Sequence, residues 1–274
     1  MDASLAGDED AAAPSARPND LVGAPALQVV DLHIAFGGNR AVDGATFDVP
    51  TGQLTGLIGP NGAGKSTVLK LVAGALRPTA GRVLMYGEDV TALPSYEAAR
   101  RGMIRTFQLS SEFAKLTVLE NLMVAVRGMR GSTFLGAMRG RRFWRVAQDE
   151  ALDRAYSLLT EFELAFAANQ YAGQLSGGQK RLVEIMRGLM ASPKVLLLDE
   201  PLAGVNPTLR LVVEDHLIRL RDGGLTMVMV EHELPTVDRC CDTVIVMARG
   251  KVLAEGTMDV LRQNRAVVDA YLVG

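Results

Sequence analysis

The chain has 274 residues, 48% of them hydrophobic and 22% charged, which supplies a sizeable core and excludes global disorder. Its net charge is −2 with an isoelectric point near 6.0, so it has no general attraction to nucleic acid or acidic lipid. No apolar stretch approaches the roughly 18 residues that span a bilayer, so a membrane role would have to run through a partner.

Residues 1–26 are acidic and rich in Ala and Pro, without the basic start and apolar centre of a signal peptide. They read as a disordered tail. "LQVVDLHIAF" and "ATFDVP" then read as strands separated by the turn-rich "GGNRAVDG". "LTGLIG" is a short buried strand leading into "PNGAGKST". The following helix carries Val68, Leu69, Val72 and Leu76 on one face and stops before Pro78. From 96 to 174 the spacing is helical, as in "LTVLENLMVAV" and "AQDEALDRAYSLLTEFEL", with no strong strand signal. From Ser176 onward, the apolar runs "KVLLLD", "TMVMVE" and "DTVIVMA" alternate with helices, the pattern of a buried, mainly parallel sheet. The two cysteines, Cys240 and Cys241, are adjacent and read as reduced thiols of a cytosolic protein.

Gly59, Gly64, Lys65 and Ser66 fit the pattern G-x-x-x-x-G-K-[ST], with Asn61 and Gly62 inside it, between a strand and a helix. Glycines let successive N–H groups converge on an anion, and the helix start adds its positive dipole end. Lys65 supplies a point charge to the β- and γ-phosphates, the Ser66 hydroxyl can ligate Mg²⁺, and Thr67 would sit near the α-phosphate. In "KVLLLDEP", Asp199 and Glu200 follow four apolar strand residues. They stand where an open α/β sheet faces its ligand. Asp199 is placed to hold Mg²⁺ opposite Ser66, and Glu200 to deprotonate the attacking water.

In "LSGGQKRLVEIMRGLM", Ser176 is an N-cap, and Leu182, Ile185, Met186, Leu189 and Met190 form the apolar face of the helix. Ser176, Gly177 and Gly178 thus make a second anion site at a helix start. One nucleotide does not need two glycine-lined anion sites, unless two chains share two nucleotides.

With Gln179, this "LSGGQ" resembles the signature of ABC-type ATPases, and the resemblance runs from about Leu27 to the end of the chain. It implies an α/β fold of the P-loop NTPase (RecA-like) kind. A nucleotide-binding core (27–95 and 175–274) would hold a mainly parallel sheet and an N-terminal antiparallel β subdomain. A helical subdomain (96–174) would be inserted into it. The resemblance also implies roles in binding ATP and Mg²⁺. Phe36 stands where the family stacks an aromatic on adenine. Gln108, in "RTFQ", would sense metal and water, and His232, in "VEHE", would contact the γ-phosphate. Ser176, Gly177 and Gly178 would clamp ATP held by an opposite subunit. Where many members carry aspartate after the catalytic glutamate, this chain has Asn206 in "AGVNP", an N-cap before Pro207. His33 and His216 read as structural.

Two function classes compete: a transporter's ATP-binding subunit, and an ABC-type ATPase of repair or translation. Only about a hundred residues separate the phosphate loop from the signature, without sustained heptads, and the chain carries one cassette and no zinc cysteines. The run "RGRRFWR" reads as a solvated helix face rather than a nucleic-acid patch. "RTFQLSSEFAKLTVLENLMVA", "VEHEL" and "VLAEGTMDVLRQNRAVVDAYLVG" resemble the branched-chain (hydrophobic) amino-acid importers. That likeness implies a peripheral protein on the cytoplasmic face of the membrane. Its partners would be integral-membrane permease subunits, a second ATP-binding subunit and an extracytoplasmic solute-binding protein. The surface after Gln108, including Phe113, would press on the permease. Members of that group often replace the first signature glycine, which this chain keeps. A urea- or amide-like solute, or lipid export, therefore stays open as the alternative.

Overall fold

A computed structural model describes residues 25–106, 113–126 and 141–273. Two sheets organise the chain. The first has the order β2-β1-β4-β5 and is antiparallel, built from β1 (Leu27–Phe36), β2 (Asn39–Val49), β4 (Ala80–Met85) and β5 (Glu88–Asp89). The second has the order β10-β9-β3-β8-β7-β6. Its strands are β3 (Leu54–Ile58), β6 (Met103–Arg105), β7 (Val195–Asp199), β8 (Thr226–Val230), β9 (Thr243–Ala248) and β10 (Lys251–Gly256). All its pairings are parallel except β10 with β9.

Every residue of β3, β7 and β8 is buried, which explains why these segments read as unbroken apolar runs. Period-two alternation survives beneath that reading, because the two faces of the sheet meet different layers. Leu57, Val195, Leu197, Val228 and Val230 join the core under β1, β2 and helix α1 (Lys65–Val72). Leu54, Leu196, Leu198, Met227 and Met229 turn the other way. There they meet α3 (Val118–Val124), α4 (Arg141–Glu161), α5 (Gly177–Met190) and α6 (Pro207–Asp222). Ile58, Val244 and Val246 pack with α7 (Leu234–Cys240), α8 (Met258–Arg262) and α9 (Arg265–Val273).

Two expectations change. Helix α1 ends at Val72, short of Leu76, because Gly74 turns the chain with φ +67°. The stretch 96–174 is not strand-free: Met103–Arg105 pairs in parallel with Val195–Leu197 and forms the sheet edge. Three residues are too few for periodicity to register. Helix α2 (Ser95–Arg101) leads directly into that strand and ends on Gly102.

Local capping matches residue chemistry at several helix starts. Thr117 and Glu120 form a reciprocal capping box on α3. The buried Asn121 amide donates to the carbonyls of Phe113, Leu116 and Thr117, fixing the approach to that helix. Phe113 lies half-buried beneath the Arg187 guanidinium of α5, 4.2 Å from its ring centroid. His216 is buried and stacked on Phe162 at 4.0 Å, with Arg219 donating to Nδ1 at 2.8 Å. Burial, with the Arg219 charge, lowers its pKa to about 4, so it is a neutral packing residue. Both cysteines are free, and burial pushes the Cys240 thiol up to about 12.

Candidate functional site

The C-terminal ends of β3, β7 and β8 sit side by side in a parallel sheet, so the residues following each strand share one edge. After β3, the chain makes the glycine loop. Gly59 (φ +144°) and Gly64 (φ +99°) adopt conformations that L side chains rarely enter, and neither has room for a Cβ. A methyl on Gly59 would stand 2.0 Å from the Met247 carbonyl oxygen, and one on Gly64 2.4 Å from that of Ala41. Asn61 and Gly62 are exposed at the loop's crest, and Thr67 lies in the first turn of α1.

Lys65 begins α1 and is 5% exposed. Its ammonium donates to the carbonyls of Gly59 at 2.7 Å and Pro60 at 2.9 Å, folding back over the loop. Burial lowers its pKa from the ordinary 10.5, while the charges of Glu200 and Asp199 oppose that shift. Ser66 Oγ donates to Asp199 Oδ1 at 3.3 Å, bringing a hydroxyl and a carboxylate together across the sheet. These hard oxygen donors beside the glycine loop fit a divalent cation of the Mg²⁺ kind.

Asp199 has a second partner that spacing did not single out. Arg105, at the end of the short edge strand β6, donates to Oδ2 at 2.7 Å, with both side chains largely buried. It lies within the quoted "RTFQ", but no spacing rule marks an arginine for a carboxylate 94 residues away. Thr106 N then donates to Leu197 O, and the chain passes to Gln108, which lies outside the described residues.

Glu200 adopts φ +50°, an uncommon backbone state for a side chain-bearing residue, costing on the order of 1–3 kcal/mol. Its N–H donates to Val230 O, which anchors the turn to β8. His232 follows β8 by two residues, and its Nε2 lies 2.7 Å from Glu200 Oε1. Both neighbours of His232 are tied down: Glu231 accepts from Leu202 N–H, and Glu233 pairs with Arg210 of α6. Thus Lys65, Ser66, Asp199, Glu200 and His232 come together as one linked cluster.

Ser176 caps α5 in a capping box with Gln179: Oγ accepts from Gln179 N–H at 3.3 Å, and Ser176 N–H donates to Oε1 at 3.0 Å. Ser176 and Gly177 are exposed, whereas Gly178 is buried against Leu209 and Val205. No hydrogen bond among the described residues joins Ser176, Gly177 or Gly178 to the Lys65–Asp199 cluster. Asn206 Oδ1 accepts from Leu209 N–H at 2.9 Å, capping α6 with Pro207 in its first turn. Phe36 ends β1 and is 51% exposed. His33, close to it, pairs with Asp31 at 2.9 Å.

The ABC transporter family model matches residues 42–203. A high-affinity branched-chain amino acid transport ATP-binding protein of Pseudomonas aeruginosa is 38% identical over 249 residues, covering 90% of this chain and 98% of the relative. The corresponding Escherichia coli K12 protein is 38% identical over 250 residues, with the same shares. Among solved structures, the ADP conformation of an ATP-binding cassette of an ABC transporter matches with a TM-score of 0.79 and 34% identity. That match covers 92% of this chain and all (100%) of the other. A nucleotide-free cassette matches with a TM-score of 0.78 over 90% and 99%. By the family model and these relatives, and with the glycine loop, the paired carboxylates and the Ser176-capped helix in place, the chain belongs to the ABC transporter family as an ATP-hydrolysing, ATP-binding subunit.

Proposed function

We propose that the chain powers solute import, with branched-chain or other hydrophobic amino acids as the cargo, from the cytoplasmic face of the membrane. Two copies, or one copy and a paralogue, sandwich two ATP molecules head to tail. The phosphate loop of one subunit, Gly59 to Thr67, grips the β- and γ-phosphates, and Phe36 stacks on adenine. Ser176, Gly177, Gly178 and Gln179 of the opposite subunit close on the γ-phosphate through N–H groups at the start of a helix. The observation that carries this reading is the cluster of Lys65, Ser66, Asp199, Glu200 and His232 on one sheet edge, with the signature unconnected to it. That division leaves one subunit with two incomplete halves.

Ser66 and Asp199, with Gln108 by family likeness, would hold Mg²⁺, which would offset charge on the phosphate oxygens. Lys65 leaves the loop carbonyls and turns to the phosphates. Glu200 takes a proton from a water, whose oxygen attacks the γ-phosphorus as the bond to the β-phosphate oxygen breaks and ADP departs. His232 holds Glu200 in place and contacts the γ-phosphate. Closure of the pair presses the helical subdomains, through the region around Phe113, on integral-membrane permease subunits. An extracytoplasmic solute-binding protein delivers the cargo.

The cargo rests on the branched-chain relatives, which match over nearly their whole length. The test is reconstitution in vesicles with a pair of integral-membrane permease subunits of the branched-chain amino-acid kind. ATP hydrolysis stimulated by a binding protein loaded with leucine, isoleucine or valine supports the reading. Stimulation by urea or short amides only would reassign the cargo, and recovery of the chain on ribosomes or DNA would overturn the transport role.

A further inference from the structure

We propose that Glu231 is a positioning residue for hydrolysis, its two carboxylate oxygens clamping the turn that carries Glu200 to the strand end that carries His232. The inference rests on the reading that Glu200 and His232 do the chemistry.

Glu231 is 4% exposed at the end of β8. Its Oε1 accepts from Leu202 N–H at 3.1 Å, two residues past Glu200. Its Oε2 accepts from the N–H of His232, also at 3.1 Å. One side chain therefore holds the backbone of His232 directly and the turn carrying Glu200 through Leu202. Burial pushes its carboxyl pKa up, with the Glu200 charge adding to it, while the two N–H groups and His232 oppose that. Burying a carboxylate is costly, and a turn needing only one cap would be served by a neutral acceptor. The two N–H groups meet different oxygens, one on each side of the carboxyl carbon. Glutamine would set an NH₂ against one of them, because it offers one oxygen and one NH₂.

The experiment compares Glu231→Gln with wild type, His232→Ala and the double variant, all as full chains. Losing one acceptor for a buried N–H corresponds to about a 10- to 100-fold fall in kcat, with KM for ATP and fluorescent-nucleotide affinity held within about twofold. In the His232→Ala background the same change costs less than in wild type, since one of the two side chains it aligns is gone while the turn carrying Glu200 remains. A second readout uses the three histidines of the chain. In protein labelled with ¹⁵N-histidine, E231Q displaces the imidazole resonances of His232 and leaves those of His33 and His216 in place. If E231Q does not fold, Glu231→Asp replaces it, being one methylene too short to reach both N–H groups. Full turnover in these variants, a KM rise matching the kcat loss, an equal loss in the His232→Ala background, or unmoved His232 resonances would overturn the proposal. Full turnover in His232→Ala itself would instead overturn the reading of the site.

Discussion

Nε2 of His232 stands 2.7 Å from Oε1 of Glu200, two side chains 32 positions apart that meet because β7 and β8 are parallel neighbours. The contact depends on a turn that places Glu200 at φ +50° and on the anchoring of Glu200 N–H to Val230. Glu200→Gln preserves size and one acceptor oxygen but cannot take a proton from water. Turnover falls by about 100-fold or more, within the usual contribution of general base catalysis, while ATP is still bound. Steady-state kinetics with equilibrium nucleotide binding checks both halves of that statement.

Lys65 donates to two loop carbonyls that any ligand in the loop would compete with. Lys65→Ala removes the point charge directed at the phosphates, and ATP affinity drops by about tenfold or more, the scale of one charge-assisted hydrogen bond. Calorimetric titration measures it; unchanged affinity would contradict the phosphate-loop assignment.

The two signature glycines respond differently to a methyl group. On Gly177 it would meet only the Gly204 carbonyl at 3.9 Å, whereas on Gly178 it would approach Leu209 Cδ2 to 2.2 Å. Both exchanges gain helix propensity, but only Gly178→Ala overpacks its neighbours. Gly178→Ala is therefore less stable than Gly177→Ala by about 1–2 kcal/mol in urea denaturation.

His216 is neutral when folded, with its pKa lowered to about 4 by burial from an ordinary 6.5. The unfolded chain binds a proton there at a higher pH than the folded chain does. Stability from this group is full above about pH 6.5 and is lost as pH falls toward 4. His216→Phe, which keeps a ring against Phe162, flattens that part of the melting-temperature profile. A profile as steep as wild type would contradict the assignment.

Much of the site is legible because local patterns carry it. The glycine loop, the Ser176 cap and the Asn206-Pro207 helix start each follow from residues within a few positions of one another. What resists reading is long-range. Met103–Arg105 becomes a strand only because Val195–Leu197 offers it an edge, and Arg105 finds Asp199 through that pairing. Glu231 sits in the quoted "VEHE", but its importance appears only when Leu202 folds back onto it. The buried strands hide their two faces, since Leu196 and Leu197 are equally apolar yet enter different cores.

The central claim is that each subunit carries two half-sites that only a second subunit completes. Sedimentation of Glu200→Gln, with and without ATP and Mg²⁺, tests it most directly when compared with the same variant also carrying Ser176→Arg. The account predicts a nucleotide-dependent dimer for the first protein and a monomer that still binds ATP for the second. A dimer that ignores both nucleotide and the Ser176 change, or wild-type protein hydrolysing ATP at full rate while strictly monomeric, would contradict it.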